Sequence, residues 1–311
     1  MNLFKELFFK FHNYRFRKTK KKNIYFKFSE KKIKNLYDSK ILQKQKQIIL
    51  ATQVGRGGGK WLVDIINHCK NATAFGERNR TAEAIFRYNC SYDKNFNLRK
   101  ILHLIKTEAL SDWKNSKTSY ISSPYFSHGI KILEKNLKPY KFVIILRDFD
   151  GLFYSLVNKS WYKNKFSLNV NKYSKKLPDL FLDQPNHFYG RYINFDKDNK
   201  KFLTASSSVK VAIFMHQTIK KIYEGILKVK KENLSIFNLN EADQNFDYCK
   251  NFLKKLDLDL NIQKKSFLKL KKRTANSIEN EKTILNKNDL FEIKKIKKKY
   301  QNYLDKIKSF S

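Results

Sequence analysis

The chain has 311 residues, of which 41% are hydrophobic and 15% aromatic, so it has enough apolar surface for a folded core and is not a disordered chain. Its formal charge of +38 favours anionic partners such as a nucleotide, an acidic glycan, nucleic acid or an anionic membrane surface. Cys69, Cys90 and Cys249 are scattered and match neither a disulfide framework nor a zinc site. Since no apolar run approaches the roughly 20 residues of a membrane span, we expect a reduced, metal-free, cytoplasmic protein.

Apolar patterning predicts strands that alternate with helices along the chain. The clearest strand is 142–146, where five consecutive apolar residues indicate burial on both faces. The predicted strands cover 46–53, 119–123, 142–146 and 233–239. The predicted helices cover 59–67, 98–109, 127–137, 209–230, 243–256 and 290–307, with two more through 82–86 and 152–157. The alternation predicts one α/β domain with a central, mostly parallel sheet flanked by helices.

Two stretches differ from the α/β pattern. Residues 1–45 form a basic N-terminal extension, which either docks on the domain or lies on the inner membrane surface as a peripheral amphipathic segment. Residues 164–204, which contain Pro178 and Pro185 and much Asn, Asp and Lys, are expected to form an irregular insertion. The α/β domain is therefore expected to cover 46–311, and the sequence leaves its oligomeric state open.

The stretch Val54–Leu62, VGRGGGKWL, joins a predicted strand to a predicted helix. Backbone N–H groups and the positive end of the helix dipole converge at such a turn, and glycine lets the backbone wrap closely. The loop therefore predicts an anion site. The magnesium-dependent phosphate loop would need glycine at position 54 and a hydroxyl at position 61, where Val54 and Trp61 stand. This favours a phosphate-like group that is handled without magnesium.

The same stretch resembles the 5′-phosphosulfate loop, P-[KR]-[SG]-G-T-[TRK]-x-L, of sulfotransferases that use 3′-phosphoadenosine 5′-phosphosulfate (PAPS). The matching residues are Arg56, Gly57, Gly58, Lys60 and Leu62. Gly55 replaces the family's proline and Gly59 its threonine, so one hydroxyl donor is missing. The resemblance implies a P-loop-NTPase-like fold. It also implies a cofactor site made by Arg56, Gly57, Gly58, Gly59, Lys60 and Trp61.

A second stretch, KFVIILRDFDGLFYSLV, resembles the 3′-phosphate element of the same family. Arg147 at the strand end and Ser155 on the next helix match the residues that bind this phosphate, and a guanidinium can fork onto phosphate oxygens. Phe149, Gly151 and Leu152 replace the family's proline, acid and arginine. Without the glycine loop upstream, an ion pair of Arg147 with a neighbouring aspartate would be an equal alternative. Lys272 and Arg273 fall where a basic loop commonly closes over the nucleotide.

The resemblance implies an enzyme that moves a sulfuryl group from PAPS to a hydroxyl or amine of an acceptor, most simply a carbohydrate, with no metal. Lys60 and Arg56 would stabilise the developing charge, and 164–204 would select the acceptor. Glu77 stands in a stretch that resembles the one carrying the catalytic glutamate of tyrosylprotein sulfotransferases, so we expect it to be the general base. An ion pair of Glu77 with Arg78 or Arg80 is the alternative, and His68 and His128 are rival bases.

One further stretch supports this interpretation, and two other functions compete with it. The stretch SYISSPYF resembles a segment of heparan-sulfate-type sulfotransferases, although Ser122 stands where that group has lysine. A basic nucleic-acid-binding protein is one alternative, but the lysines are spread over the whole chain, so no specific nucleic acid partner is expected. A nucleoside or sugar kinase-like NTPase is the other, and the missing hydroxyl at position 61 argues against it.

Overall fold

Five parallel strands form the centre of the molecule. The computed structural model describes residues 30–42, 46–93, 95, 98–137, 140–158, 202, 204–242, 245–274 and 285–310. Its strands are β1 Gln47–Thr52, β2 Ala72–Gly76, β3 Thr118–Ser122, β4 Lys141–Leu146 and β5 Leu234–Asn238. They are hydrogen-bonded in the order β2-β3-β1-β4-β5, and every pairing is parallel. The expected α/β class with a parallel sheet is therefore confirmed.

Helices cover both faces of this sheet. They are α1 Glu30–Leu42, α2 Gly59–Ile66, α3 Arg80–Tyr92, α4 Leu98–Asp112, α5 Ile130–Asn136, α6 Phe149–Val157, α7 Ser207–Ile226, α8 Leu239–Ala242, α9 Phe246–Lys255, α10 Lys264–Thr274 and α11 Lys287–Lys308. Two short 3₁₀ helices lie at Pro124–His128 and Lys231–Asn233. None of the helices in the described part of the chain is long and apolar enough to cross a membrane.

The alternation of side chains along a strand divides the apolar core into two. Ile48 and Leu50 of β1 join a core with α3, α4, α6, α7 and α11, whereas Ile49 and Ala51 join a second core with α2, α9 and α10. The residues of β4 alternate in the same way between the two cores. Burial on both faces explains why β1 and β4 are nearly continuous apolar runs.

The connections of the sheet change direction between the neighbouring strands β1 and β4. From β1 the chain passes through α2 to β2 at one edge of the sheet, and β5 follows β4 at the other edge. The two strands are direct neighbours, with Thr52 opposite Ile144. In open parallel sheets, ligands bind where neighbouring strands send their connections in opposite directions. Both candidate motifs follow these two strands.

Several elements differ from the sequence predictions. The helix expected over 127–137 is split into the 3₁₀ helix and α5 at Gly129, whose φ of −120° and ψ of 18° are not helical. A side chain at Gly129 would collide with the ring of Phe86. The edge strand β2 was missed, since only Ala74 of its five residues is buried and the apolar signal is weak. α10 was not predicted either, because its many lysines hide the apolar spacing. Among the side chains of α10 that the structure describes, Phe267 is the deeply buried one.

Part of the N-terminal extension lies on the domain. The ring of Tyr37, on α1, is fully buried and stacks on Trp113 with 5.3 Å between the ring centroids. Its hydroxyl donates a hydrogen bond of 3.1 Å to the carbonyl of Leu137. Residues 1–29 and 43–45 lie outside the described part of the chain, as does the predicted insertion at 164–204 except for Phe202 and Thr204.

Candidate anion-binding site

The loop between β1 and α2 has an unusual backbone conformation. Gly55, Arg56 and Gly58 have φ values of 94°, 53° and 93°, so a non-glycine residue takes the left-handed conformation between two glycines. α2 begins at Gly59, and no side chain caps it. Its first N–H groups have no acceptor within the helix, and together with the helix dipole they favour an anion in front of the loop.

Gly58 and Gly59 of this loop pack closely against neighbouring side chains. A Cβ atom on Gly58 would lie 2.7 Å from both methyl carbons of Leu239, which follows β5. One on Gly59 would lie 2.7 Å from Gln53 Oε1 and from Ser122 Oγ, and closer still to Gln53 Nε2. A side chain at position 59 would therefore have to displace the Gln53 carboxamide and the Ser122 hydroxyl, and the glycine that stands where the sulfotransferase motif has threonine avoids this.

The structure brings the two motifs together. The guanidinium of Arg147 donates from Nη1 to the carbonyl of Arg56 at 3.0 Å. Arg56 Nε in turn donates to Ser155 Oγ on α6 at 3.3 Å. Partial burial and then the charge of Arg147 lower the pKa of Arg56, while the charge of Glu77 opposes this. Two guanidinium groups held this close favour an anion between or beside them.

Arg147 is fixed by contacts other than the ion pair that its sequence neighbours suggested. Asp148 caps α6 by accepting from Gly151 N at 2.7 Å, and it also accepts from Asn240 Nδ2 at 2.8 Å. Asp150 pairs with Lys297 of α11. The hydroxyl of Tyr300, also on α11, donates to the carbonyl of Arg147 at 3.1 Å. Within the described residues, neither aspartate forms a salt bridge with Arg147.

The departures from the 3′-phosphate motif have structural reasons. A Cβ atom on Gly151 would lie 3.1 Å from both Nε and Nη2 of Arg147, so the glycine gives the guanidinium room beside α6. Phe149 is buried, stacks on Phe153 at 5.6 Å and meets Tyr300 edge-on at 5.4 Å. This aromatic group anchors α11 against the start of α6, a role that the family's proline would not fill.

Glu77 lies directly beyond β2, on the same edge of the sheet as the glycine loop. Its φ is 49°, and its backbone N–H donates to the carbonyl of Ser122 at 2.9 Å. The side chain is half-buried and close enough to Arg56 to raise its pKa. Arg78 is bound by both carboxylate oxygens of Asp112 at 2.8 Å, so it is not the partner expected for Glu77. The side chain of Arg80 lies outside the described residues.

The two rival bases are placed elsewhere. The imidazole of His128 lies 2.9 Å from Arg87 Nη2 and 2.8 Å from Ser91 Oγ, and burial followed by the charge of Arg87 holds its pKa well below the ordinary value. It is a half-buried residue whose ring nitrogens both have hydrogen-bond partners. His68 is exposed just past the carboxyl end of α2, at the opposite end of that helix from the glycine loop.

The remaining predicted cofactor residues differ in what they present to the loop. Lys60 is exposed at the start of α2. The indole of Trp61 is instead buried between Phe237 and Phe267, so only its backbone can face a ligand. The predicted basic loop at 271–277 begins as the last turn of α10, and the side chains of Lys272 and Arg273 lie outside the described residues.

Sequence reasoning missed two residues at this site. Leu239 closes the loop from the β5 side, and Gln53 fills the space beside Gly59. Each is the last residue of a predicted strand, 46–53 or 233–239, which was the available signal, but neither belongs to either motif. In comparisons with known proteins, no protein-family model and no curated protein matches the chain.

A buried carboxyl group next to Arg78 predicts a pH dependence of stability. Burial is the main reason that the pKa of Glu108 rises to about 8, and Glu83 raises it further while Arg78 opposes the shift. The folded state therefore keeps a proton that the unfolded chain loses above its lower, ordinary pKa, so stability falls as the pH rises from about 5 to 8. We expect a fall of about 2 kcal/mol or more, measured by urea unfolding.

Glu108→Gln should flatten this profile, because glutamine cannot ionise. The matched control is Glu232→Gln, since the Glu232 side chain is 70% exposed, against 13% for Glu108. An equally steep decline in the Glu108→Gln protein would assign the pH dependence to other groups.

Proposed function

We propose that the chain is a sulfotransferase that transfers a sulfuryl group from PAPS to an acceptor, with a P-loop-NTPase-like fold. The observation that carries this proposal is the hydrogen-bonded series Arg147–Arg56–Ser155. It joins the two phosphate motifs at the carboxyl ends of the adjacent strands β1 and β4. A nucleotide with phosphate groups at both the 5′ and the 3′ positions would use both motifs at once.

The residues divide between the two ends of such a nucleotide. The backbone of Gly57–Gly59 and the start of α2 would hold the 5′ group, aided by the Arg56 and Lys60 cations. Arg147 and Ser155 would hold the 3′-phosphate, since a guanidinium and a hydroxyl both donate to phosphate oxygens. The tryptophan at position 61 supports a reaction without magnesium, because the magnesium-dependent loop needs a hydroxyl there.

The proposed reaction needs a base and a stabilised leaving group. An acceptor oxygen attacks the sulfur atom, and the sulfur–oxygen bond to the 5′-phosphate breaks, with its electron pair leaving on 3′,5′-ADP. The acceptor's proton goes to the carboxylate of Glu77, which lies near Arg56. Arg56 and Lys60 stabilise the negative charge that develops on the transferred group and the leaving phosphate.

A hydroxyl or amine of a carbohydrate is the acceptor that we propose. Its sulfated or uronic-acid neighbours would be attracted by the net charge of +38. The direct test is the nucleotide preference: 3′,5′-ADP should bind without metal and more tightly than 5′-AMP. A preference for ATP with Mg²⁺ would instead indicate a kinase-like function.

A further inference from the structure

The side chain of Gln53 lies beneath the glycine loop. It follows β1, is only 6% exposed and packs against two loop glycines. A Cβ atom on Gly57 would lie 3.1 Å from Gln53 Cβ, and one on Gly59 would lie 2.7 Å from Gln53 Oε1. The carboxamide therefore stands at the first residue of α2, where the loop presents its backbone N–H groups.

This carboxamide has no hydrogen-bond partner among the residues that the structure describes. Gln53 Oε1 is buried without a hydrogen bond, and neither it nor Nε2 bonds to any residue that the structure describes. Leaving a buried amide oxygen unpaired is unfavourable. Rotating the carboxamide by about 180° exchanges Oε1 and Nε2, so that the NH₂ group can take the buried position and face an anion held by the loop. The NH₂ group can donate two hydrogen bonds, and anionic oxygens are strong acceptors.

We propose that Gln53 binds the 5′-phosphate or sulfuryl oxygens of the nucleotide and replaces the hydroxyl that is absent at position 59. This inference rests on the proposed function. The glycine at position 59 and the glutamine at position 53 form one arrangement: the carboxamide occupies the space that a threonine side chain would need. The hydrogen-bond donor to the nucleotide is then a side chain at the end of β1 instead of one at the start of α2.

The exchange makes a reciprocal prediction. Gly59→Thr alone should weaken nucleotide binding, because the new side chain collides with the carboxamide. In Gln53→Ala/Gly59→Thr the collision is removed and the hydroxyl returns, so the double variant should bind better than either single variant. Relief of the collision alone would restore binding no further than the level of Gln53→Ala, because contacting residues are not additive, so tighter binding than Gln53→Ala is the result that shows the hydroxyl replacing the donor.

The experiment is a calorimetric titration of the full chain with 3′,5′-ADP, 5′-AMP and 3′-AMP. Gln53→Met keeps the length of the side chain and its packing but removes the donor. It should bind 3′,5′-ADP and 5′-AMP about 10- to 100-fold more weakly, with 3′-AMP unchanged because that ligand has no 5′ group. Gln217→Met is the control: Gln217 Oε1 is also buried without a partner, but α7 is on the other face of the sheet.

The outcomes separate this inference from the proposed function. If the wild-type chain does not bind 3′,5′-ADP, the proposed function fails and Gln53 has no nucleotide to hold. If the wild type binds 3′,5′-ADP, and Gln53→Met binds each of the three nucleotides as tightly as the wild type does, Gln53 is a packing residue only. A loss of 3′-AMP binding as large as that of 5′-AMP also overturns the inference. Should Gln53→Met not fold, Gln53→Asn, whose amide is one methylene shorter, should give the same pattern.

Discussion

Arg147→Ala is expected to weaken the binding of 3′,5′-ADP by roughly 1.5–3 kcal/mol, or about 10- to 150-fold in Kd. The substitution removes a charge-assisted contact to the 3′-phosphate. It also removes the hydrogen bond from Arg147 Nη1 to the carbonyl of Arg56, which helps to hold the loop. The affinity for 5′-AMP should fall much less, because that nucleotide lacks the 3′ group. Calorimetric titration of the two nucleotides measures both effects.

Two further variants separate the guanidinium from the charge. Arg147→Lys keeps a positive charge but loses the fork, so its affinity for 3′,5′-ADP should lie between wild type and Arg147→Ala. Lys254→Ala removes an exposed charge at the carboxyl end of α9 and should leave both nucleotides unaffected. Equal losses for 5′-AMP and 3′,5′-ADP in Arg147→Ala would mean that Arg147 supports the loop and does not bind the 3′-phosphate.

Glu77→Gln is expected to leave nucleotide affinity nearly unchanged while turnover falls about 10²- to 10⁴-fold. Glutamine has the shape of glutamate but cannot accept the acceptor's proton. Turnover is followed as the appearance of 3′,5′-ADP from PAPS, first with carbohydrate acceptors and then with water as the slow acceptor. Calorimetry with 3′,5′-ADP on the same preparation shows whether the site is intact.

The control for this variant is Glu232→Gln, an exposed glutamate in the 3₁₀ helix before β5, at the other end of the strands from the glycine loop. It should have wild-type turnover. Wild-type turnover in Glu77→Gln would move the base to another residue. Loss of nucleotide binding in step with turnover would make Glu77 an electrostatic partner of Arg56.

The sheet could be predicted because its central strands are buried on both faces. β1 and β4 are continuous apolar runs, and such runs followed by turns and helical spacing leave few other interpretations. β2 gave no comparable signal, since two of its five residues are exposed and two are half-buried. Burial by neighbours from distant parts of the chain, as for Tyr37 on α1, also has no local pattern.

The candidate site could be predicted in its backbone and less well in its side chains. The motifs placed Arg56, Arg147 and Ser155 near one another because both follow adjacent parallel strands. Trp61 was assigned by its position in the motif, although the apolar residues at helical spacing after it, such as Ile65, show that it shares their buried face. The side chain of Gln53 packs beside Gly59, and this contact is visible only in the three-dimensional structure.

The measurement that tests the central claim most directly is a calorimetric titration of the wild-type chain. The ligands are 3′,5′-ADP, 5′-AMP and ATP, first in EDTA and then with Mg²⁺. Simultaneous use of Arg147, Arg56 and Ser155 predicts that 3′,5′-ADP binds most tightly in EDTA and that Mg²⁺ does not improve its binding. Equal affinity for 3′,5′-ADP and 5′-AMP, or tighter binding of ATP with Mg²⁺, would contradict the account.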